Sequence, residues 1–182
     1  MTQLLVLLFL AAGPDYHVQL TPDTTKVEWT LGDVLHTVHG TFKLKSGDIH
    51  FDAQSGKVTG EVVVDARSGN SGSGARDGKM HKSVVESDKY PDITFAPDQI
   101  EGSLDMKGTS NVKLHGSFKI HGSAHELIVP AQVTVKDGMF NAILKFDIPY
   151  VAWGMKDPST LILKVNKSVQ IEVRTSAKLG GD

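Results

Sequence analysis

The stretch from Asn111 to Ile148 constrains the fold of this chain most strongly, because apolar and polar residues alternate along it with a period of two. Successive side chains of a β-strand point to opposite faces of the sheet, so three consecutive segments are predicted to form strands with one apolar and one polar face. The apolar positions are Val112, Leu114, Gly116, Phe118 and Ile120, then Leu127, Val129, Ala131, Val133 and Val135, and finally Phe140, Ala142, Leu144, Phe146 and Ile148.

Turn residues separate these segments and make them a meander. His121-Gly122-Ser123 and Asp137-Gly138 are typical of hairpin turns. Further candidate strand segments lie along the rest of the chain, at residues 16–20, 26–31, 37–45, 48–52, 57–65, 93–95, 161–165 and 168–174. We expect eight to ten strands in all. Because few connections are long enough to cross over, an all-β, up-and-down antiparallel barrel is favoured over a Greek-key sandwich.

One short helical insertion is predicted. Ser68 to Gly74 has the composition of a flexible loop, and Met80, Val84 and Val85 follow it at helical spacing within Ala75 to Ser87. Tyr90-Pro91 ends the helix, since the residue before proline is biased away from helical conformation.

Length and composition limit the number of domains and the classes of function. A chain of 182 residues is most simply one domain, here expected over residues 14–176 with a loose tail at 177–182. The net charge of −2 provides no basic footprint for nucleic acid. The chain has no cysteine, which excludes disulfides, thiolate catalysis and cysteine-ligated metals.

The first residues predict export. Leu4 to Ala12 is an unbroken apolar run, too short to span a bilayer but of the right length for the core of a secretory signal. Ala11 and Gly13 place small residues at the −3 and −1 positions of a cleavage site. No Lys or Arg precedes the run, so a buried first strand is the alternative. We expect a signal peptide at 1–13 and a periplasmic or secreted protein.

The sequence contains no recognisable enzymatic motif. The glycine-rich stretch Ser68 to Lys79 lacks the glycine and hydroxyl positions of a phosphate loop, and there is no Gly-x-Ser-x-Gly nucleophile elbow. Asp65, Arg76, Asp77 and Glu86 could supply a carboxylate pair with a basic partner, but sequence alone cannot bring them together. We therefore expect no catalytic residues.

Histidines raise the question of a metal. His115, His121 and His125 lie close in sequence, and three such ligands can hold one ion. However, His115 falls on the polar face and the other two flank a turn, so solvated surface histidines are favoured and no metal is expected.

The apolar face is expected to point into the barrel. A transmembrane barrel would show the same period, but it needs aromatic girdles, and aromatic residues make up only 7% of this chain. The protein is therefore not expected to span a membrane once mature. The inward side chains either line a cavity or fill the barrel, because eight-stranded barrels do both.

Four sequence blocks together resemble the YceI-like proteins, lipocalin-like bacterial lipid-binding barrels, over about residues 16–176. The blocks are Val38-His39-Gly40-Thr41-Phe42; Val62-Val63-Val64-Asp65-Ala66-Arg67-Ser68 followed by Arg76-Asp77; Lys89-Tyr90-Pro91-Asp92-Ile93-Thr94-Phe95; and Gly116-Ser117-Phe118-Lys119-Ile120-His121-Gly122. The chain departs from the family pattern at Thr25-Lys26, Lys119 and Val84-Val85. The first and last departures bear on the head-group contacts and the width of the cavity.

The resemblance implies an eight-stranded antiparallel barrel that holds an isoprenoid or another long-chain amphiphile and uses no cofactor besides the bound lipid. The residues expected at the apolar cavity are Trp29, Phe42, Val62, Val64, Met80, Phe95, Leu114, Phe118, Ile120, Phe140, Leu144, Phe146 and Trp153. Ser68, Arg76 and Lys79 are expected near the polar head of the ligand. An enzyme with a hydrophobic substrate, a stress-related structural barrel without ligand, and a homodimer remain open alternatives.

Overall fold

Nine strands form one antiparallel sheet in the part of the chain that the computed structural model describes, residues 15–32, 36–161 and 164–181. The predicted signal segment at 1–13 lies outside the described residues. The strands are β1 (Asp15–Leu20), β2 (Thr25–Gly32), β3 (Thr37–Asp52), β4 (Val58–Asn70), β5 (Asp92–Glu101), β6 (Thr109–Ile120), β7 (Ser123–Lys136), β8 (Met139–Ile148) and β9 (Val169–Gly181).

The sheet closes into an eight-stranded barrel. From β3 to β9 each strand pairs with the next along the chain. β1 and β2 both lie between β3 and β9 and both run antiparallel to them, so together they occupy one position of the barrel. The all-β, up-and-down architecture predicted from the alternating pattern is therefore confirmed.

β1 and β2 form one long strand that is interrupted at residues 21–24. Pro22 lies in the interruption. Proline has no backbone N–H, so it could not donate to the hydrogen-bond ladder of a continuous strand. The partner strand β3 is continuous, with irregular pairing to β4 between Leu44 and Ser46. The prediction of two separate strands at 37–45 and 48–52 is therefore wrong. An added Cβ at Gly47 would lie 2.8 Å from Cβ of Leu20, so this glycine allows β1 to pack closely instead.

The inward and outward faces of the central meander agree with the sequence pattern. Val129 and Ile148 are each only 1% exposed, whereas Ile128 and Ile143 on the opposite face are 53% and 43% exposed. Hydrophobicity alone would not separate these residues. Their position in the alternation does, because it decides which face of the strand they occupy.

The predicted helical insertion is present but short. Helix α1 spans Gly74–Lys79 and continues into a π-helical turn at Met80–Val84. β4 extends to Asn70, so the first residues of the expected loop at 68–74 belong to a strand. None of the described helices has the length and apolar character needed to cross a membrane.

The C-terminal prediction needs correction. Residues 177–181 were expected to be loose, but they continue β9, where Tyr16 pairs with Gly181 and Val18 pairs with Leu179. These pairs bring β9 against β1 and close the barrel, a contact between chain ends that local alternation does not reveal. The strand expected at 161–165 is not seen among its described residues.

The two ends of the barrel are covered by different parts of the chain. At one end, the connection between β5 and β6 places Leu104 and Met106 against Phe51 and Phe140, and we call this the plugged end. At the other, Met80, Val84 and Val85 of the helical insertion pack with Tyr150 and Met155 of the segment between β8 and β9. We call this the helical end.

Candidate ligand-binding cavity

A cavity of about 540 Å³ lies inside the barrel between the two ends. Its wall is formed almost entirely by apolar side chains of the inward faces of β1 to β9. Pockets that hold small molecules commonly enclose ~300–1,000 Å³, so the space is large enough for a ligand. The barrel is therefore not simply filled by its own side chains.

Twelve of the thirteen side chains expected at an apolar cavity line this one, and their role in ligand binding stays a prediction. They are Trp29, Phe42, Val62, Val64, Met80, Phe95, Leu114, Phe118, Ile120, Phe140, Leu144 and Phe146.

The cavity reaches the surface at the helical end. Within the described lining, Arg76 and Lys79 are the only residues classed as exposed. Leu31 and Val38 at the β2–β3 edge and Pro158 from the segment before β9 also line the wall, and all three are half-buried. We refer to the region bounded by these five residues as the opening.

Arg76 and Lys79 place positive charge at the opening. Arg76 donates from Nε to Ser71 Oγ at 2.8 Å and from Nη2 to the Ser71 carbonyl oxygen at 2.9 Å. Lys79 Nζ donates to the Pro158 carbonyl oxygen at 2.7 Å. Neither side chain forms an ion pair with a described residue, so both retain an uncompensated charge that an anionic or oxygen-rich group could approach.

Described residues of the connection between β8 and β9, within 149–161 and 164–168, lie at the opening and are held by hydrogen bonds. The Tyr150 hydroxyl, on a side chain that is 4% exposed, donates to the Asn166 carbonyl oxygen at 2.7 Å. Burial raises the pKa of Tyr150 to about 12, and the negative charge of Asp157 adds to the shift. Asn166 N in turn donates to the Gly32 carbonyl oxygen at 2.9 Å, which ties the segment to β2.

Few polar atoms interrupt the apolar wall. Thr25 and Thr175 line the cavity and share a buried hydrogen bond of 2.7 Å between their hydroxyl oxygens. Trp29 Nε1 is buried without a hydrogen-bond partner. No carboxylate or histidine belongs to the described lining, and its only titratable side chains are Arg76, Lys79 and Tyr150.

Two of the predicted site residues lie elsewhere. Ser68 stabilises the β3–β4 pairing, since its Oγ donates to the Asp65 carbonyl oxygen at 2.6 Å and accepts from Lys43 N at 2.7 Å. Trp153 stacks on His125 with ring centroids 4.0 Å apart and also contacts Phe118. Neither side chain belongs to the described lining, and sequence position could not show which neighbour each one contacts.

The residues weighed for catalysis are not assembled into a catalytic group. Asp65 accepts from Arg67 N at 2.9 Å, Asp77 accepts from Ser71 N at 2.9 Å, and Glu86 pairs with His121. Each carboxylate therefore has its own local partner.

The three clustered histidines are also separated. His115 pairs with Glu101 at 2.9 Å and His125 stacks on Trp153, whereas His121 is 18% exposed and contacts both Glu86 and the Tyr90 ring. His121 and His125 are thus packed rather than solvated.

Two of the four sequence blocks meet at the helical end. The Tyr90 ring lies 4.7 Å from the His121 ring, and an added Cβ at Gly122 would lie 2.5 Å from Tyr90 Cε1. Glu86, which adopts a left-handed backbone conformation (φ 49°), pairs with His121 and accepts backbone hydrogen bonds from Lys89 and Tyr90. Tyr90, His121 and Gly122 of these blocks therefore hold the helical insertion on the β6–β7 turn.

Sequence reasoning missed several lining residues. Tyr150 and Pro158 lie in a stretch without alternation, so no periodic signal marked them. Thr25 and Thr175 are polar and were not expected to face inward. These two threonines are direct partners in the β2–β9 pairing, and the sequence alone does not show which strands pair.

A closed eight-stranded barrel around an apolar cavity with a polar opening defines a ligand-binding barrel of the lipocalin type. The family is equally clear: the chain belongs to the YceI-like domain family, whose model matches residues 18–177. A comparison with curated protein sequences found no match.

Solved structures share this fold at low sequence identity. BcnA of Burkholderia cenocepacia superposes with a TM-score of 0.74 at 19% identity, covering 87% of this chain and 99% of that chain. A polyisoprenoid binding domain from Saccharophagus degradans, implicated in plant cell wall breakdown, gives 0.68 at 14% identity, with 91% and 98% covered. The YCEI protein of Campylobacter jejuni gives 0.63 at 22% identity, with 79% and 86% covered.

Proposed function

We propose that this protein is an exported lipid-binding protein that carries or sequesters an isoprenoid, such as a quinone or polyprenyl chain, or a similar long-chain amphiphile. The observation that supports this most directly is the apolar cavity of about 540 Å³ with two exposed cations at its opening. An apolar chain suits the wall, and a polar head suits Arg76 and Lys79.

The energetics favour a tail-driven ligand. Burying ~10 methylenes contributes on the order of 8 kcal/mol before the cost of association. Useful affinity therefore needs no specific polar contact inside the barrel, which agrees with the apolar character of the wall. The polyisoprenoid binding domain among the structural neighbours supports an isoprenoid as the first ligand class to test.

An enzymatic role on the same barrel has less support. General acid–base catalysis needs a titratable group within hydrogen-bond reach of the reacting atoms. The described lining provides no carboxylate or histidine, and Tyr150 already donates its hydroxyl hydrogen to Asn166. A carrier requires only the cavity, so we favour binding over chemistry.

The test is to purify the protein from its own source without detergent, extract it with organic solvent and analyse the extract by mass spectrometry. We expect one long-chain amphiphile in stoichiometric amount, and its mass would identify the cargo. A clean extract, together with no thermal stabilisation on adding quinones or polyprenols, would contradict the proposal.

Export is tested separately by fractionating the source cells. We expect the protein in the periplasm or the medium, with an intact mass that lacks residues 1–13. A cytoplasmic protein of full mass would contradict export without bearing on lipid binding.

A further inference from the structure

A compact histidine–carboxylate cluster lies on the outer wall of the barrel, separate from the cavity. His17 on β1 and His50 on β3 are direct cross-strand partners, and their rings stack with centroids 4.5 Å apart and planes 20° apart. Asp48 precedes His50 by two residues and so lies on the same outward face. The neighbouring residues Val18 and Ile49 point inward and line the cavity.

The donor atoms have the spacing of a metal site. Asp48 Oδ1 lies 3.4 Å from His17 Nε2 and 3.2 Å from His50 Nε2. One ligand atom from each of the three residues fits within 4.8 Å of the others, and no other such group occurs among the residues the structure describes. Tetrahedral zinc with bonds of ~2.0–2.2 Å separates its ligand atoms by ~3.3–3.6 Å. An ion could therefore be bound by side-chain adjustment alone.

The surroundings prepare the two rings for coordination. Asp15 Oδ2 lies 3.5 Å from His50 Nδ1, which is the carboxylate–histidine arrangement that leaves Nε2 free to face a metal. His17 Nε2 has no access to solvent and makes no hydrogen bond, because its 3.4 Å contact with Asp48 lacks hydrogen-bonding geometry. Gly180 is the β9 partner of His17 and places no side chain beside the ring.

From this geometry we propose that His17, Asp48 and His50 bind a divalent transition metal ion of the zinc type, with Asp15 as the positioning residue for His50. Two imidazoles and one carboxylate suit zinc and its neighbours, whereas magnesium and calcium prefer sites made of oxygen ligands. A water molecule completes the coordination. The ion joins β1 to β3 and so fastens the first described strand to the barrel wall.

The experiment is a titration of the untagged, chelator-stripped protein with Zn²⁺ in competition with a chromophoric chelator. We expect one ion per chain. His17→Gln and His50→Gln each lower the affinity at least about tenfold, because loss of a ligand costs no less than loss of an orienting partner. Asp15→Asn lowers it by about tenfold, the lower end of the range for loss of an orienting partner. Co²⁺ in place of zinc should show the visible absorption of a tetrahedral site, which a purely structural role of these residues would not produce.

His115→Gln is the matched control. His115 also faces a carboxylate, Glu101 at 2.9 Å, but belongs to no cluster of three potential ligands among the described residues. Its removal should leave both the stoichiometry and the affinity unchanged. Because His17 and His50 face outward, circular dichroism should show the same fold in every variant. Absence of saturable binding, or wild-type affinity in both His17→Gln and His50→Gln, would overturn the proposal.

Discussion

The plugged end and the helical end of the barrel enclose the same cavity by different means. At the plugged end, buried side chains of the strands themselves meet one another and Leu104 and Met106. At the helical end, the cover consists of the helical insertion and described residues of the connection between β8 and β9, held in part by single hydrogen bonds such as that between Lys79 and Pro158. The comparison teaches that both ends are packed, but that the cavity reaches the surface beside exposed side chains only at the helical end of the described barrel.

The largest expected effect is a loss of stability at the plugged end. Phe51 is 4% exposed, and its ring lies 5.5 Å from Tyr16 and 6.2 Å from Phe140. Phe51→Ala should lower the free energy of unfolding by about 3–5 kcal/mol, as measured by urea denaturation.

Met80→Ala provides the matched change at the helical end. Met80 is half-buried and borders the existing cavity. Met80→Ala should therefore lower the free energy of unfolding by no more than about 2 kcal/mol. Equal losses for Phe51→Ala and Met80→Ala would mean that the two ends contribute alike to stability.

The next effect concerns the space between the ends. Ala142 is buried and lines the cavity. Ala142→Phe should place a ring in the cavity and exclude about three methylenes of the lipid chain. The binding free energy should then fall by about 2 kcal/mol, which lowers lipid affinity at least about thirtyfold. Fluorescence displacement of a bound lipid probe would measure the change.

Ile143→Phe is the control for this variant, because Ile143 follows Ala142 on β8 but is 43% exposed on the outer face. It should bind lipid as the wild type does. Retained binding in Ala142→Phe, with its fold intact, would show that the ligand does not occupy the barrel.

Tyr150 tests how the helical end is held. Its burial raises the pKa to about 12, above the ordinary value near 10. Between these values the unfolded chain releases the phenolic proton before the folded one does, so stability falls as pH rises. The contribution of this pKa difference to the free energy of unfolding is on the order of 2 kcal/mol. It is fully present below about pH 10 and is lost as the pH rises to about 12.

Tyr150→Phe removes both the proton and the hydrogen bond to Asn166. At pH 8 it should be less stable than the wild type by about 1 kcal/mol. Urea denaturation across pH 8–12 should show this difference shrinking and then reversing. Parallel pH profiles for the two proteins would contradict the assignment, since the other titrating groups are common to both.

The smallest effect lies at the opening. Arg76→Ala should lower affinity for a lipid with a polar head about two- to fivefold, as expected for an exposed charge. Affinity for the matching hydrocarbon without a head should not change. Lys82→Ala, an exposed lysine of the same helical insertion outside the cavity lining, should affect neither ligand. Equal losses for both ligands in Arg76→Ala would show that Arg76 does not contact the head.

Much of the fold was predictable because alternation is a local property of a strand. The inward set of β6, β7 and β8 could be assigned residue by residue, as the contrast between Val129 and Ile128 shows. Local pattern failed where distant partners decide the structure. Examples are the continuation of β9 to Gly181, which depends on β1, and the single strand β3, where a turn was expected.

The candidate site divides in the same way. Eleven of the twelve predicted lining residues were found because they lie on the inward face of the strands; the twelfth, Met80, lies on the helical insertion. Ser68 and Trp153 lie outside the described lining, because Ser68 contacts Asp65 and Lys43 and Trp153 contacts His125 and Phe118. Periodicity does not specify these neighbours.

By itself, the sequence determined that an apolar face would be enclosed by a meander of antiparallel strands, since the period of two leaves no other face to bury. Only the tertiary structure decided that the enclosed space is a cavity, that it opens beside Arg76 and Lys79, and that His17 meets His50 on the outer wall. The physical reason is that the direction of a side chain is set by its own strand, whereas volumes, openings and clusters depend on which strands become neighbours.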